Sequence, residues 1–211
     1  MTQRASSQGM SKGDPVSILT QKASPQGSSK GDVLFLHGQA FSSQTWVDLK
    51  TLQIVAGLGY NAVAIDLPNG SKSKSDKVNV KDKNKFLEDV IKELKIRAPV
   101  IISPSMSGSF SLPYLFHMAP DKVKERMSGF VPVAPISTED FTPEQYKQIT
   151  IPVAIVYGEN DKTIGPESVK NLSNFPSKEL HELKGAGHPA YMDKPEEWHK
   201  ILTDFLKKVY S

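Results

Sequence analysis

From residue 33 onward, short continuous apolar runs alternate with longer stretches whose apolar residues recur at helical spacing. Few architectures accept that rhythm. "VLFLHG" (33–38) is an unbroken apolar run closed by glycine, as a strand buried on both faces requires. Strands are predicted again at 61–66, 98–103, 129–135, 151–158 and 178–185. Between them, 45–60 carries Trp46, Leu49, Leu52 and Val55 at helical spacing and stops at Gly57 and Gly59. Helices are likewise predicted at 82–96, 106–118, 143–149 and 165–174. A closing amphipathic helix at 194–210 has Trp198, Leu202 and Phe205 on one side. Pro113 should kink the helix at 106–118 or cost it a hydrogen bond. Strands alternating with helices predict an α/β domain, a mostly parallel central sheet flanked by helices and joined by right-handed crossovers. In such sheets chemistry gathers at the carboxyl ends of the strands.

Length and composition bound the rest. The chain has 211 residues, 38% apolar and 23% charged, enough for one domain with a real core. A net charge of +3 is too small to argue for a nucleic-acid partner. The basic stretch "KSKSDKVNVKDKNK" (72–85) is interleaved with Asp and Asn and lacks aromatics to stack bases, so it reads as a solvated loop and helix entry. With no cysteine, disulfides, thiolate catalysis and cysteine zinc sites are excluded, which suits a reducing compartment. No apolar run approaches the ~20 residues that span a bilayer, and the polar N-terminus has no apolar signal core, so a soluble, intracellular protein is expected. Ahead of residue 33, "ASSQGMSKGD" (5–14) recurs as "ASPQGSSKGD" (23–32), identical at eight of ten positions. Residues 1–32 therefore read as a flexible, duplicated Ser/Gly/Lys-rich lead-in with a candidate edge strand at 16–21. Its first fourteen or so residues are expected to lack fixed order unless they pack as an extra strand.

Four loops after strands carry chemistry: "HGQAFSSQTW" from 37, "SPSMSG" from 103, "GENDKTIG" from 158 and "GAGHPAYMDKPEEW" from 185. A serine becomes a nucleophile on a strained strand-to-helix elbow, ordinarily G-x-S-x-G. Ser103-Pro104-Ser105-Met106-Ser107 has that register with serine at both flanks. A second register would select Ser107, but Ser105 lies nearer the strand end, and a serine-rich helix cap is the bland alternative. Of five histidines, His188 in "GAGHP" sits in a loop able to reach over the sheet. His37 suits turn shaping, and His117, His181 and His199 read as structural or surface residues. Asp161, with Glu159 as competitor, is the carboxylate able to orient an imidazolium. The chain order Ser105, Asp161, His188 is that of the α/β-hydrolases. An oxyanion would be held by the backbone N–H of Met106 and by that of Gln39 or Ala40.

These motifs, with "AVAIDLPNGSKSK" and "GFVPVAPI", resemble the abhydrolase-domain-containing 14 family, its soluble B form especially, from about residue 33 to 211. The S-P-S-x-S-G elbow is the specific part of the likeness. The resemblance implies an α/β-hydrolase domain at 33–211, with Ser105, Asp161 and His188 as its triad. It implies cleavage of short acyl esters and removal of acetyl groups from protein lysines with coenzyme A as acceptor. No metal or bound cofactor is needed. A transcription-factor partner is implied too, and with it the rival expectation of a non-catalytic binding module. The family's A form has a membrane anchor, and its members open with a strand pair where this chain has its duplicated lead-in. The short connection between the strands at 129 and 151 predicts no large cap domain and an open site. Phe41, Trp46, Tyr114 and Tyr191 are candidates to wall the acyl pocket, in competition with plain core packing. A monomer in the cytoplasm, with access to the nucleus, is expected.

Overall fold

The computed structural model describes residues 2–7 and 16–211. Its strands are β1 (Thr2–Ser7), β2 (Val16–Ala23), β3 (Asp32–Phe35), β4 (Asn61–Ile65), β5 (Val100–Pro104), β6 (Gly129–Val133), β7 (Val153–Gly158) and β8 (Lys178–Leu183). They form one sheet in the order β1-β2-β4-β3-β5-β6-β7-β8. β3 to β8 run parallel, and β1 and β2 pair antiparallel at one margin. The helices are α1 (Gln44–Asp48), α2 (Thr51–Gly57), α3 (Lys83–Glu93), α4 (Gly108–Phe116), α5 (Pro143–Lys147), α6 (Ile164–Leu172), α7 (Ala190–Asp193) and α8 (Pro195–Val209).

Alternation along the strands divides the core into two layers. Val33, Phe35, Val100 and Ile102 face the side of Trp46, Val55, Trp198 and Phe205. Leu34, Leu36, Ile101 and Phe130 face the side of Phe86, Phe110 and Phe175. All of these side chains are fully out of water. Burial of each is worth about 1.5–3 kcal/mol, which is why apolar runs rather than half-apolar ones form the central strands.

Several elements depart from the sequence pattern. The helix predicted over 45–60 is two helices, because Lys50 takes a left-handed conformation (φ 61°) between α1 and α2. Trp46 and Val55 still reach one core layer, so periodicity survives the break. α4 runs through Pro113 to Phe116. The run at 16–21 extends to Ala23, and it lies one place in from the margin because Thr2–Ser7 pairs outside it. The sheet thus takes in residues ahead of position 33, within the lead-in expected to be flexible. Met1 and residues 8–15 of that lead-in lie outside the described residues.

Two features of this layout set the site. The chain winds from β3 outward to β4, then returns to place β5 on β3's other flank. The loops leaving β3 and β5 therefore diverge, and a crevice opens between them at the carboxyl ends. The connection from β6 to β7 holds only a 3₁₀ turn (Thr138–Asp140) and the five-residue α5, so no cap domain covers that crevice.

Candidate active site

β5 ends in extended backbone at Pro104 (φ −87°, ψ 143°), and the chain then turns sharply at Ser105, whose φ is 48°. A left-handed conformation is strained for a residue with a Cβ, and it projects the side chain above the sheet edge. The turn continues as a 3₁₀ segment, Ser105–Ser107, into α4. Small flanks are needed where strand and helix nearly touch, and here two buried serines meet that need by bonding to each other. Ser107 Oγ donates to the Pro104 carbonyl at 2.7 Å. Its single proton is thereby used, so Ser103 Oγ donates to Ser107 Oγ at 3.0 Å and Ser111 Oγ to Ser103 Oγ at 2.6 Å. This directed chain of hydroxyls lies under the elbow with every member out of water. It also removes Ser107 as a competing nucleophile, since that hydroxyl is buried and committed. The glycine demanded by close approach stands instead at 108, where a Cβ would lie 2.4 Å from the Ile136 carbonyl oxygen. Ile136 N–H in turn donates to the Ser105 carbonyl at 3.0 Å.

The loops after β7 and β8 pass so close that a Cβ on Gly158 would sit 2.1 Å from the Gly187 carbonyl oxygen. That approach brings Asp161 and His188 together. Asp161 Oδ2 accepts from His188 Nδ1 at 2.5 Å, and Ser105 Oγ donates to His188 Nε2 at 2.8 Å. A carboxylate can only accept, so it fixes the proton on Nδ1 and leaves Nε2 free to take one. Burial works against ionising Asp161. The hydrogen bonds from His188 and from Thr163 outweigh it and hold the carboxyl below its ordinary range. Both donors on Thr163, N–H and Oγ1, reach Asp161 Oδ1 at 3.1 Å. Glu159 takes a different part. Its carboxylate accepts from Gly185 N–H at 2.9 Å, bracing the histidine loop from outside. Asp193 Oδ2 accepts from Gly187 N–H at 2.7 Å and braces it from the other end.

The loop after β3 completes the crevice. His37 is buried, with Nδ1 donating to the Gly38 carbonyl and Nε2 accepting from Leu67 N–H, both at 2.8 Å. Gln39 is held by Ser71 N–H on its carbonyl (2.8 Å) and by its own amide Nε2 on the Asn69 carbonyl (2.7 Å). Asp66 is a residue that the pattern search passed over. Closing β4 as the single acid of an apolar run was the available signal. Its buried carboxylate accepts from Ser43 N–H at 2.8 Å and Lys74 N–H at 2.7 Å, pinning the flanking loops.

A pocket of about 170 Å³ lies against this relay, lined by Gly38, Gln39, Ala40, Phe41, Ser105, His188 and Tyr191 among others. Two of the four candidate wall residues, Phe41 and Tyr191, line it. The other two, Trp46 and Tyr114, do not line it and take the competing role of core packing. Trp46 is fully buried, its indole N–H on the Leu36 carbonyl at 2.8 Å and its ring against Phe35, Tyr191 and Trp198. Tyr114 is buried on α4 with the Arg126 guanidinium 3.9 Å above its ring. Helical spacing cannot distinguish an aromatic facing the core from one facing the crevice. Among the described residues no group of three or more His, Asp or Glu is placed to hold a metal ion, and no helix is long and apolar enough to cross a membrane.

Fold and site geometry together define an α/β-hydrolase. The chain superposes on a predicted CIB-like hydrolase of Thermoplasma acidophilum with a TM-score of 0.82, 24% identity and 99% of each chain covered. It superposes on an esterase of Exiguobacterium antarcticum with a TM-score of 0.78 at 15% identity, covering 98% of this chain and 100% of that one. No family model matches the sequence. Protein ABHD14A of Danio rerio is 45% identical over 183 residues, which span 84% of this chain but 64% of that protein, less than two thirds of its length. Human ABHD14B, described as a candidate protein-lysine deacylase, is 45% identical over 179 residues, 83% of this chain and 82% of that one. The chain belongs to the ABHD14 family.

Proposed function

We propose that the protein is a serine hydrolase that removes short acyl groups, with Ser105 as nucleophile, His188 as base and acid, and Asp161 as the group that orients His188. The observation that carries this is the continuous relay from Ser105 Oγ through His188 to Asp161 at 2.8 and 2.5 Å. Ser105 Oγ attacks the acyl carbonyl carbon while its proton passes to His188 Nε2. The charge gathering on the carbonyl oxygen is met by the Met106 N–H and by the N–H of Gln39 or Ala40. The tetrahedral species then collapses, the leaving group takes the proton from His188, and the acyl group stays on Ser105. Water, or the thiol of coenzyme A, gives its proton to His188 and takes the acyl group, and Ser105 regains a proton. The pocket of about 170 Å³ is below the ~300–1,000 Å³ of sites for drug-sized ligands, which favours short acyl groups. The name of human ABHD14B supports an acylated lysine as donor, and a site without a cap has room for a side chain on another protein.

A fluorophosphonate probe tests the reading. The folded protein should be labelled at Ser105, and Ser105→Ala should abolish labelling with the fold intact by circular dichroism. Absence of labelling in folded wild-type protein would remove the enzyme reading and leave a binding module for a protein partner, such as a transcription factor.

A further inference from the structure

A second and larger cavity, about 410 Å³, opens beside the catalytic pocket. Asn69, Lys77, Asn79 and Lys83 line it together with the apolar Val80 and Phe110. Asn69 lines the larger cavity and bonds to residues at the catalytic pocket. Its amide Nδ2 reaches Met106 Sδ at 3.5 Å, one residue from Ser105, and its carbonyl accepts from Gln39, which lines the catalytic pocket. Phe110 lies on the helix that leads away from the Ser105 turn, so the groove and the nucleophile share one element.

Two lysines bring positive charge to the groove. Lys77 Nζ donates to the Gly70 carbonyl at 2.7 Å, and Lys83 Nζ donates to Ser109 Oγ at 3.2 Å and lies 5.2 Å from the Phe110 ring centroid. Each ammonium has three donors, so each keeps two in reserve. Among the described residues neither lysine forms an ion pair. The carboxylates nearby in sequence hydrogen-bond to backbone N–H groups rather than to these two ammonium groups. Asp66 is buried and bonded to Ser43 and Lys74, Asp76 Oδ2 accepts from Ser17 N–H, and Asp82 Oδ1 accepts from Lys85 N–H. Two ammonium groups and two side-chain amides over an apolar floor form a receptor for an oxyanion carried on an apolar or planar body.

We infer that this groove binds an anionic group, phosphate or carboxylate, on the leaving-group or acceptor part of the small molecule that Ser105 acts on. The inference rests on the hydrolase reading for its placement and gives that site a substrate class: acyl donors or acceptors that bear an anion beyond the acyl group. It also gives a role to the lysine-rich stretch at 72–85, which its sequence alone leaves as solvated surface.

Two measurements test it. In the first, 4-nitrophenyl acetate, 4-acetoxyphenyl phosphate and 4-acetoxybenzoate are hydrolysed by wild type and by the Lys77→Met/Lys83→Met double variant. The variant should leave kcat/KM for the neutral ester unchanged and raise KM roughly five- to twentyfold for the anionic esters. The phosphate and carboxylate arms identify which oxyanion is favoured. An equal effect on all three esters, or none on the anionic pair, overturns the inference. In the second, phenyl phosphate is titrated calorimetrically into Ser105→Ala protein, which needs no turnover. Binding should weaken about tenfold or more when the two lysines are also replaced, and equal affinity overturns the groove assignment. Failure to hydrolyse even the neutral ester speaks against the hydrolase reading instead, and the titration then decides the groove by itself.

Discussion

Asp161 and Glu159 show how two carboxylates two residues apart are given different work. Asp161 turns inward and is met by His188 and by both donors of Thr163. Glu159 stays at the surface, where Gly185 N–H and then Lys184 hold its carboxyl below the ordinary range. Gly165 leaves the inward carboxylate its room, since a Cβ there would stand 3.1 Å from the Asp161 carboxyl carbon and press it by a few tenths of an ångström. Asp161→Asn keeps the shape but offers an amide where a pure acceptor is needed, so His188 loses its fixed tautomer. The expected loss in kcat is about 10³- to 10⁴-fold. Glu159→Gln should leave kcat within about threefold, since an exposed brace is worth little. Steady-state hydrolysis of an aryl acetate by both variants checks this pair, and comparable losses would show that the two carboxylates share one role.

The loops joining the strands to their helices hold the site, and one of them carries a pH dependence. His37 ties the loop after β3 to that after β4 by accepting from Leu67 N–H, which only an unprotonated Nε2 can do. Burial, more than any other influence, lowers its pKa from 6.5, partly offset by the bond to the Gly38 carbonyl and by Asp66. Between that lowered value and 6.5, the unfolded chain binds a proton that the folded chain does not. Stability is therefore complete above about pH 6.5 and falls as the pH drops through that window, by up to about 1.4 kcal/mol per pH unit for this one group. His199, also lowered by burial, adds in the same direction. Urea midpoints of wild type and His37→Gln between pH 5 and 8 test this. The slope should shrink by up to one proton in the variant, and an unchanged slope would refute the assignment. Such loops also mark how far the sequence can be read. Strand positions and the order Ser105, Asp161, His188 stand out because burial on both faces leaves an unbroken apolar signature, and strand-end loops are where reactive residues gather. The Lys50 break leaves no such trace, and the position of Asp66 at the end of an apolar run does not tell which loops it pins. Each depends on which groups happen to lie across a loop or beneath a helix, and local periodicity carries no information about that.

The whole molecule places a small pocket and a wide approach on the same edge. The switch in strand order between β3 and β5 opens the crevice, and the brief β6–β7 connection leaves it without a cap. Length selection must then come from the pocket itself, whose lining includes the rings of Phe41 and Tyr191, 6.4 Å apart and edge to face. Tyr191 is locked between Trp46 and Trp198 in the core, whereas Phe41 is half-buried and packs over Gly38. Phe41 is thus the wall that can be removed without emptying the core. For a series of aryl esters, kcat/KM should be highest for acetyl to butyryl groups and fall with every further methylene, because each must either leave the pocket or displace its wall. Phe41→Ala should move the maximum toward longer chains and lower acetate turnover only modestly, as the smallest acyl group depends least on the size of the pocket. A wild-type maximum beyond about eight carbons would mean that the chain leaves by another route than this pocket. A maximum unmoved in Phe41→Ala would mean that Tyr191 alone sets the limit, and the acyl group would have to be placed against α7 rather than against the loop after β3.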